Sequence, residues 1–213
     1  MSIQITDPAS YSADTSGEMA YEQPVKAGAA ARRNEIGKID IGTEGRNKLT
    51  GSALDDFLSG LGGNDTLTGG DGKDFLDGGA GKDRIIGGAD TDLIVGGLGN
   101  DILTGGLDSD MFFFDSRLHK TQNVDRITDF TPGQDIIALD NAIFRKVGPA
   151  LTSLDPSKFW TGGKAHDRSD RIIYNSKDGS LYYDPDGSGK AAQIKFAQLK
   201  AKLALSADDF QIV

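Results

Sequence analysis

Between Gly42 and Phe113 one apolar position recurs every nine residues, held by Leu49, Leu58, Leu67, Leu76, Ile85, Ile94, Leu103 and Phe112. Two residues before each stands a polar position, held by Asn47, Asp56, Asp65, Asp74, Asp83, Asp92, Asp101 and Asp110. The first half of each unit is glycine-rich, as in Gly69-Gly70 and Gly78-Gly79. Glycine admits positive φ and lets a backbone come close to another group. The pattern predicts a turn and then a three-residue strand with its middle side chain inward, as in Phe75-Leu76-Asp77, Leu93-Ile94-Val95 and Ile102-Leu103-Thr104. The fourth position is glycine at Gly63, Gly72, Gly81 and Gly99, and aspartate at Asp90 and Asp108. Aspartate is among the few other residues that visit the left-handed region. Leu54 departs from that pattern and weakens its turn. One inward side chain per strand makes a thin core, so the units must stack to be stable.

After Phe113 the nine-residue period stops. Met111-Phe112-Phe113-Phe114 is apolar and is expected to end the stack under a cap. Two strand-like stretches within 123–140 flank the turn sequence Thr131-Pro132-Gly133-Gln134. A hairpin is expected from 171–174 and 180–183, and a strand at 193–196 that also partly fits helical spacing. Ser206 is placed to cap a short helical turn before a final strand at 210–213. Residues 1–41 read as a weakly structured lead-in, with a short helix expected over Lys26–Arg33.

Charge changes this picture from folding to chemistry. Residues 42–113 contain 13 acidic and 5 basic side chains, a net of −8 where the whole chain carries −9. The same block holds 19 of the 29 glycines and none of the six prolines. Aligned carboxylates repel one another, and a hard cation with a high demand for oxygen removes the repulsion. Calcium takes six to eight carboxylate and carbonyl oxygens, whereas magnesium wants stricter geometry and keeps its water. The block has no Cys and no His, which argues against zinc or copper. A flexible linker would lack the fixed apolar position, a metal-free solenoid would not need the recurring aspartate, and collagen has a different period. Hydrophobic content of 37% is low for a packed globule, which suits a stack held by metal and backbone. The acidic balance makes nucleic acid an unsuitable partner, and no apolar run reaches membrane-spanning length.

The units resemble the RTX nonapeptide repeat of hemolysin-type calcium-binding exoproteins. The resemblance implies an all-β fold: a right-handed parallel β-roll over residues 42–113, with two units per coil and a β-rich C-terminal capping region over 114–213. Turns on one side are then 18 residues apart, with Ca²⁺ between successive ones, about five ions in all. The aspartate pairs implied are Asp56 with Asp74, Asp74 with Asp92 and Asp92 with Asp110 on one side. Asp65 with Asp83 and Asp83 with Asp101 fall on the other. Carbonyls of Gly60, Gly62, Gly69, Asp71, Gly78, Ala80, Gly88, Asp90, Gly97 and Gly99 are implied to complete the shells. Asn47 replaces aspartate, and Thr43 and Ser52 replace glycine, so the first one or two turns depart from the family pattern.

The C-terminal half also resembles RTX exoproteins, through DRITDF, GQDIIALD, DRIIYNSKDGSLYYDPDGSG and the closing ADDFQIV. That implies an uncleaved C-terminal signal read by a type I ABC exporter, and secretion from a Gram-negative bacterium. Residues 1–20 lack the pattern of a cleavable secretory signal. Asp184-Pro185-Asp186-Gly187-Ser188-Gly189 looks like the start of an EF-hand loop, but Lys195 stands where the bidentate Glu is needed. No H-E-x-x-H helix, G-x-S-x-G elbow or cysteine nucleophile is present, so no enzyme is expected. Trp160 is expected to be a core or cap aromatic, with a sugar platform as the other reading. The function expected is that of a secreted calcium-binding protein whose roll folds on meeting extracellular Ca²⁺. The alternatives are an accessory polysaccharide-binding module, a protein acting at a host or cell surface, and the C-terminal part of a larger secreted enzyme.

Overall fold

The computed structural model describes residues 36–213, which fall within one compact unit. Most of the lead-in, including the helix expected over Lys26–Arg33, lies outside the described residues. The repeat block forms β1 (Ile36–Thr43), β2 (Lys48–Thr50), β3 (Asp55–Leu61), β4 (Thr66–Asp71), β5 (Phe75–Asp77), β6 (Ala80–Gly81), β7 (Arg84–Ala89), β8 (Leu93–Val95), β9 (Leu98–Gly99), β10 (Ile102–Gly106) and β11 (Met111–Phe114). The C-terminal half adds β12 (Asp125–Ile127), β13 (Ile136–Leu139), β14 (Thr152–Ser153), β15 (Phe159–Thr161), β16 (Ile172–Asn175), β17 (Ser180–Tyr183), β18 (Ile194–Gln198) and β19 (Phe210–Ile212). Two one-turn 3-10 helices, Pro156–Lys158 and Ala207–Asp209, are the only helices among the described residues.

The chain winds as a parallel β-roll. Alternate units enter two facing sheets, ordered β1-β3-β5-β8-β11-β13-β19-β14 and β15-β16-β17-β18-β12-β10-β7-β4-β2. In one sheet Leu58, Leu76, Ile94 and Phe112 lie in register. In the other, Leu49, Leu67, Ile85 and Leu103 do the same. Partners 18 residues apart mean two units per coil. The sixth-position aspartate ends each turn, and the eighth-position apolar side chain then points between the sheets. Leu58, Leu67, Leu76, Ile85, Ile94 and Phe112 are wholly buried.

Three boundaries differ from expectation. Strand β1 pairs in parallel with β3, so the roll begins inside the expected lead-in. Met111–Phe114 does not end the stack, because β13 adds beside β11 and β19 beside β13. In the other sheet β12 joins β10 of the roll to β18 of the C-terminal half. The physical reason is that Ile127 and Ile137 supply the same inward apolar side chain without the glycine period, and both are buried. One core therefore runs from Leu49 to Ile212. Past Phe114 it widens into an aromatic cluster, with Phe196 edge-on to Phe114 at 5.2 Å and to Phe144 at 5.0 Å.

The expected hairpin is β16–β17, antiparallel. Residues 194–198 are strand rather than helix, pairing with β17 and β12. Ser206 caps its helical turn, and the Asp209 carboxylate accepts the Ser206 backbone N–H in return.

Candidate metal centre

After the first turn, which closes on Asn47, each turn of the roll closes on its sixth-position aspartate. On one edge the Oδ1 atoms of Asp74, Asp92 and Asp110 accept the backbone N–H groups of Asp56, Asp74 and Asp92 at 2.8, 2.9 and 3.1 Å. On the other, the Oδ1 atoms of Asp65, Asp83 and Asp101 accept those of Asn47, Asp65 and Asp83 at 2.6, 2.7 and 2.8 Å. All five aspartate pairs expected from the repeat are thus adjacent along two ladders. A carboxylate aimed at backbone N–H groups is held in one orientation, so the direction of its second oxygen is fixed as well.

The second oxygens are the unusual feature. The Oδ2 atoms of Asp65, Asp74, Asp83, Asp92 and Asp101 are buried and have no hydrogen-bond partner among the described residues. An unpaired buried charge is among the costliest groups a fold can carry. These atoms face the open sides of Gly60, Gly69, Gly78, Gly87 and Gly96, each the first residue of the same turn. At the first four the carbonyl oxygen of Gly78, Gly87, Gly96 or Gly105, one coil on, faces the same spot. A Cβ at any of these glycines would strike the oxygens. None of the five has a left-handed φ, so space, not backbone strain, requires glycine there. Carboxylate and carbonyl oxygens converging on a space left by a missing side chain are a donor set for a hard cation, and the residues fit Ca²⁺.

The electrostatics agree. Burial, with Asp56 beside it, lifts the Asp74 carboxyl to about 6. Burial and the flanking charges of Asp101 and Asp65 lift Asp83 to about 7. Burial and the charges of Asp74 and Asp110 lift Asp92 to about 8. Asp110 rises to about 7 through burial and Asp135, and Asp101 to about 6 through burial. The row resists carrying its full charge without a counter-charge.

Asp56 is placed differently from the rest. Its Oδ1 accepts the Lys38 N–H, and its Oδ2 accepts the backbone N–H of Ser52 at 2.5 Å. The Ser52 hydroxyl bonds the same carboxylate and also accepts the Leu54 N–H. At the fourth position, where Asp90 (φ 72°) and Asp108 (φ 68°) are left-handed, Leu54 is not. Among the expected carbonyl donors, those of Gly60, Gly69 and Gly78 face the glycine spaces. Those of Ala80 and Gly88 instead accept the N–H groups of Gly63 and Leu107. Gly62, Asp71, Asp90, Gly97 and Gly99 lie on the same turns, where the Asp90 carboxylate accepts the Gly72 N–H.

Sequence reasoning missed Gly87, Gly96 and Gly105 as sources of facing carbonyls, and two aspartates that prolong the ladders. Asp125 Oδ1 accepts the N–H of Asp101, and Asp135 Oδ1 that of Asp110, both at 3.1 Å. Their signal was present: Asp125 and Asp135 each stand two residues before a buried isoleucine, as every repeat aspartate stands before its apolar partner. The steps of 24 and 25 residues hide it from a search at period nine.

With this geometry in view, a family match is decisive. The profile of the RTX calcium-binding nonapeptide repeat (4 copies) matches residues 41–76, 50–85 and 77–112. Residues 41–112 are RTX calcium-binding repeats. The RTX roll is also similar to two solution structures of subunits of the Azotobacter vinelandii mannuronan C5-epimerase. AlgE6R3 is 23% identical, with 89% of this chain and 85% of that one covered and a TM-score of 0.42. AlgE6R2 is 24% identical, with 84% and 94% covered and a TM-score of 0.43. Among curated proteins there is no match.

Outside the RTX ladders, His166, Asp167 and Asp170 bring ligand atoms within 4.8 Å of one another. In the loop after β17, Asp184 Oδ1 accepts the Asp186 N–H and Asp186 carboxylate accepts the Ala191 N–H, both at 3.1 Å. These are the hydrogen bonds of a self-capped turn. Of the expected core or cap positions Trp160 takes the second: it lies on β15 in the C-terminal half, is 38% exposed and stacks on His166 at 4.5 Å.

Proposed function

We infer that this calcium-binding RTX roll belongs to a secreted protein that folds when it meets Ca²⁺ outside the cell. The five buried, unpartnered Oδ2 atoms carry the reading. At the low free calcium of a cytosol, Asp74, Asp83, Asp92, Asp101 and Asp110 press like charges together, and the thin core cannot hold them. The chain then stays open enough to pass through a type I export channel, for which the acidic and apolar closing residues Asp208-Asp209-Phe210-Gln211-Ile212-Val213 are the proposed signal. Outside, calcium near the millimolar range meets the affinities of extracellular modules, roughly 10⁻⁴ to 10⁻³ M. A bound calcium ion supplies the positive charge that the row lacks. The chain's own part is orientation: backbone N–H groups fix each Oδ1, each Oδ2 turns to its glycine space, and the next coil presents a carbonyl. Because the sites exist only in the folded roll, binding is coupled to folding. We assign the chain no catalytic role. The test is far-UV circular dichroism of the full chain during a calcium titration. A cooperative gain of β signal is expected, and a fully formed roll in excess chelator would overturn the reading.

A second reading is that the chain is an accessory module for extracellular polysaccharide. It rests on the exposed Trp160–His166 stack, a flat surface of the sort sugars pack against. Retention on an alginate column that Trp160→Ala abolishes would support it. Equal flow-through of both proteins would exclude it.

A further inference from the structure

Asp125 lies on β12, outside the RTX repeats, yet it repeats their geometry. Its Oδ1 holds the Asp101 N–H as Asp101 holds that of Asp83 one coil earlier. At Gly96 the two oxygens nearest the open side are Asp101 Oδ2 and Asp125 Oδ2. At the four preceding first-position glycines the second oxygen is a glycine carbonyl. Asp101 is 1% exposed and Asp125 4%, and Asp101 Oδ2 has no partner. Neither forms an ion pair among the described residues. Two carboxylates turned to one buried space repel strongly when both are ionised, so the pair must share either a proton or a cation. On the side of Asp125 away from Gly96, a cavity of about 10 Å³ lined in part by Gly97, Asp115, Asn123 and Asp125 has room for one water.

We propose that Asp101 and Asp125 hold a divalent cation of the calcium class at Gly96, in a site that ties the last coil of the roll to the C-terminal half. The proposal rests on the reading of the ladders as calcium-binding and extends it past the repeats. Strand β12 is bonded to β10 of the roll on one side and to β18 on the other. An ion at Gly96 therefore clamps the strand through which the two halves share a sheet. The aspartate comes from a segment with no glycine-rich turn, which is why the repeat pattern does not announce the site.

The experiment counts ions bound to the full chain by equilibrium dialysis against calcium, with folding followed by circular dichroism. Asp125→Asn keeps an oxygen for the Asp101 N–H and removes the charge. Gly96→Ala keeps both carboxylates and suits the backbone, but puts a methyl group where the oxygens converge. Each variant is expected to bind one ion fewer than wild type, and to need at least about threefold more calcium to fold. If Asp125→Asn does not fold at saturating calcium, Gly96→Ala decides. Wild-type stoichiometry in either folded variant overturns the proposal, as does complete unfolding of both, because the fold would then need these residues for something other than one ion. A wild-type protein that binds no calcium is a different result, and it refutes the calcium reading itself.

Discussion

Replacing Asp83 with asparagine should change stability in opposite directions with and without calcium. Asp83 is 2% exposed, and its Oδ1 holds the Asp65 N–H at 2.7 Å, a bond that an asparagine oxygen can keep. Burial and two flanking aspartates lift its carboxyl from the ordinary 3.8 to about 7. At about 1.4 kcal/mol per pKa unit, holding Asp83 ionised costs the metal-free roll up to about 4 kcal/mol above pH 7. Asp83→Asn removes that cost, so at about pH 8 in chelator the variant should fold more readily. In calcium the same change removes a charged ligand shared by two turns and should weaken binding at least about tenfold, or about 1.4 kcal/mol. The assay is far-UV circular dichroism, with an excluded osmolyte driving folding in chelator and urea driving unfolding in saturating calcium. Equal destabilisation in both media would refute the reasoning, because Asp83 would then be an ordinary structural hydrogen-bonding group.

Acid should favour the chelated roll. Asp74, Asp83, Asp92, Asp101 and Asp110 have folded values raised to between about 6 and about 8. The folded state therefore binds more protons, so its stability is greatest below the unfolded value of about 4 and is lost as pH rises through 6 to 8. Far-UV spectra in chelator should gain β signal as pH falls from 8 to 5, and a loss over that window would contradict the argument. Gly69→Ala should lower calcium affinity more than tenfold without straining the backbone, since its Cβ meets the Asp74 carboxylate and the Gly87 carbonyl. Dialysis checks this. Leu76→Ala, at a wholly buried position, should cost the calcium-loaded roll about 2–5 kcal/mol in urea unfolding.

The roll was legible because its two determinants recur at one spacing. The aspartate and the apolar residue two positions on set turn and strand together, so the inward row from Leu49 to Phe112 could be read directly. What escaped was the continuation. Ile127 and Ile137 occupy the same inward rows, but the turns that deliver them have different lengths, and a period cannot register a step of 24 or 25 residues. The metal ladder was legible as a set of aspartates but not as a set of oxygens. That Oδ1 is spent on a backbone N–H while Oδ2 is left free depends on how coils stack, which only the three-dimensional register shows. Asp56 makes the point from the other side. It sits correctly in the pattern, yet the backbone N–H and hydroxyl of Ser52 both take up its second oxygen.

Calcium lodged between stacked turns is the central claim, and a crystal grown with calcium tests it most directly. Anomalous difference density measured on that crystal should show ions beside the Oδ2 atoms of Asp65, Asp74, Asp83, Asp92 and Asp101, within the 2.3–2.6 Å typical of calcium–oxygen contacts. Density maps with those oxygens met only by water, in a roll otherwise folded as described, would contradict it.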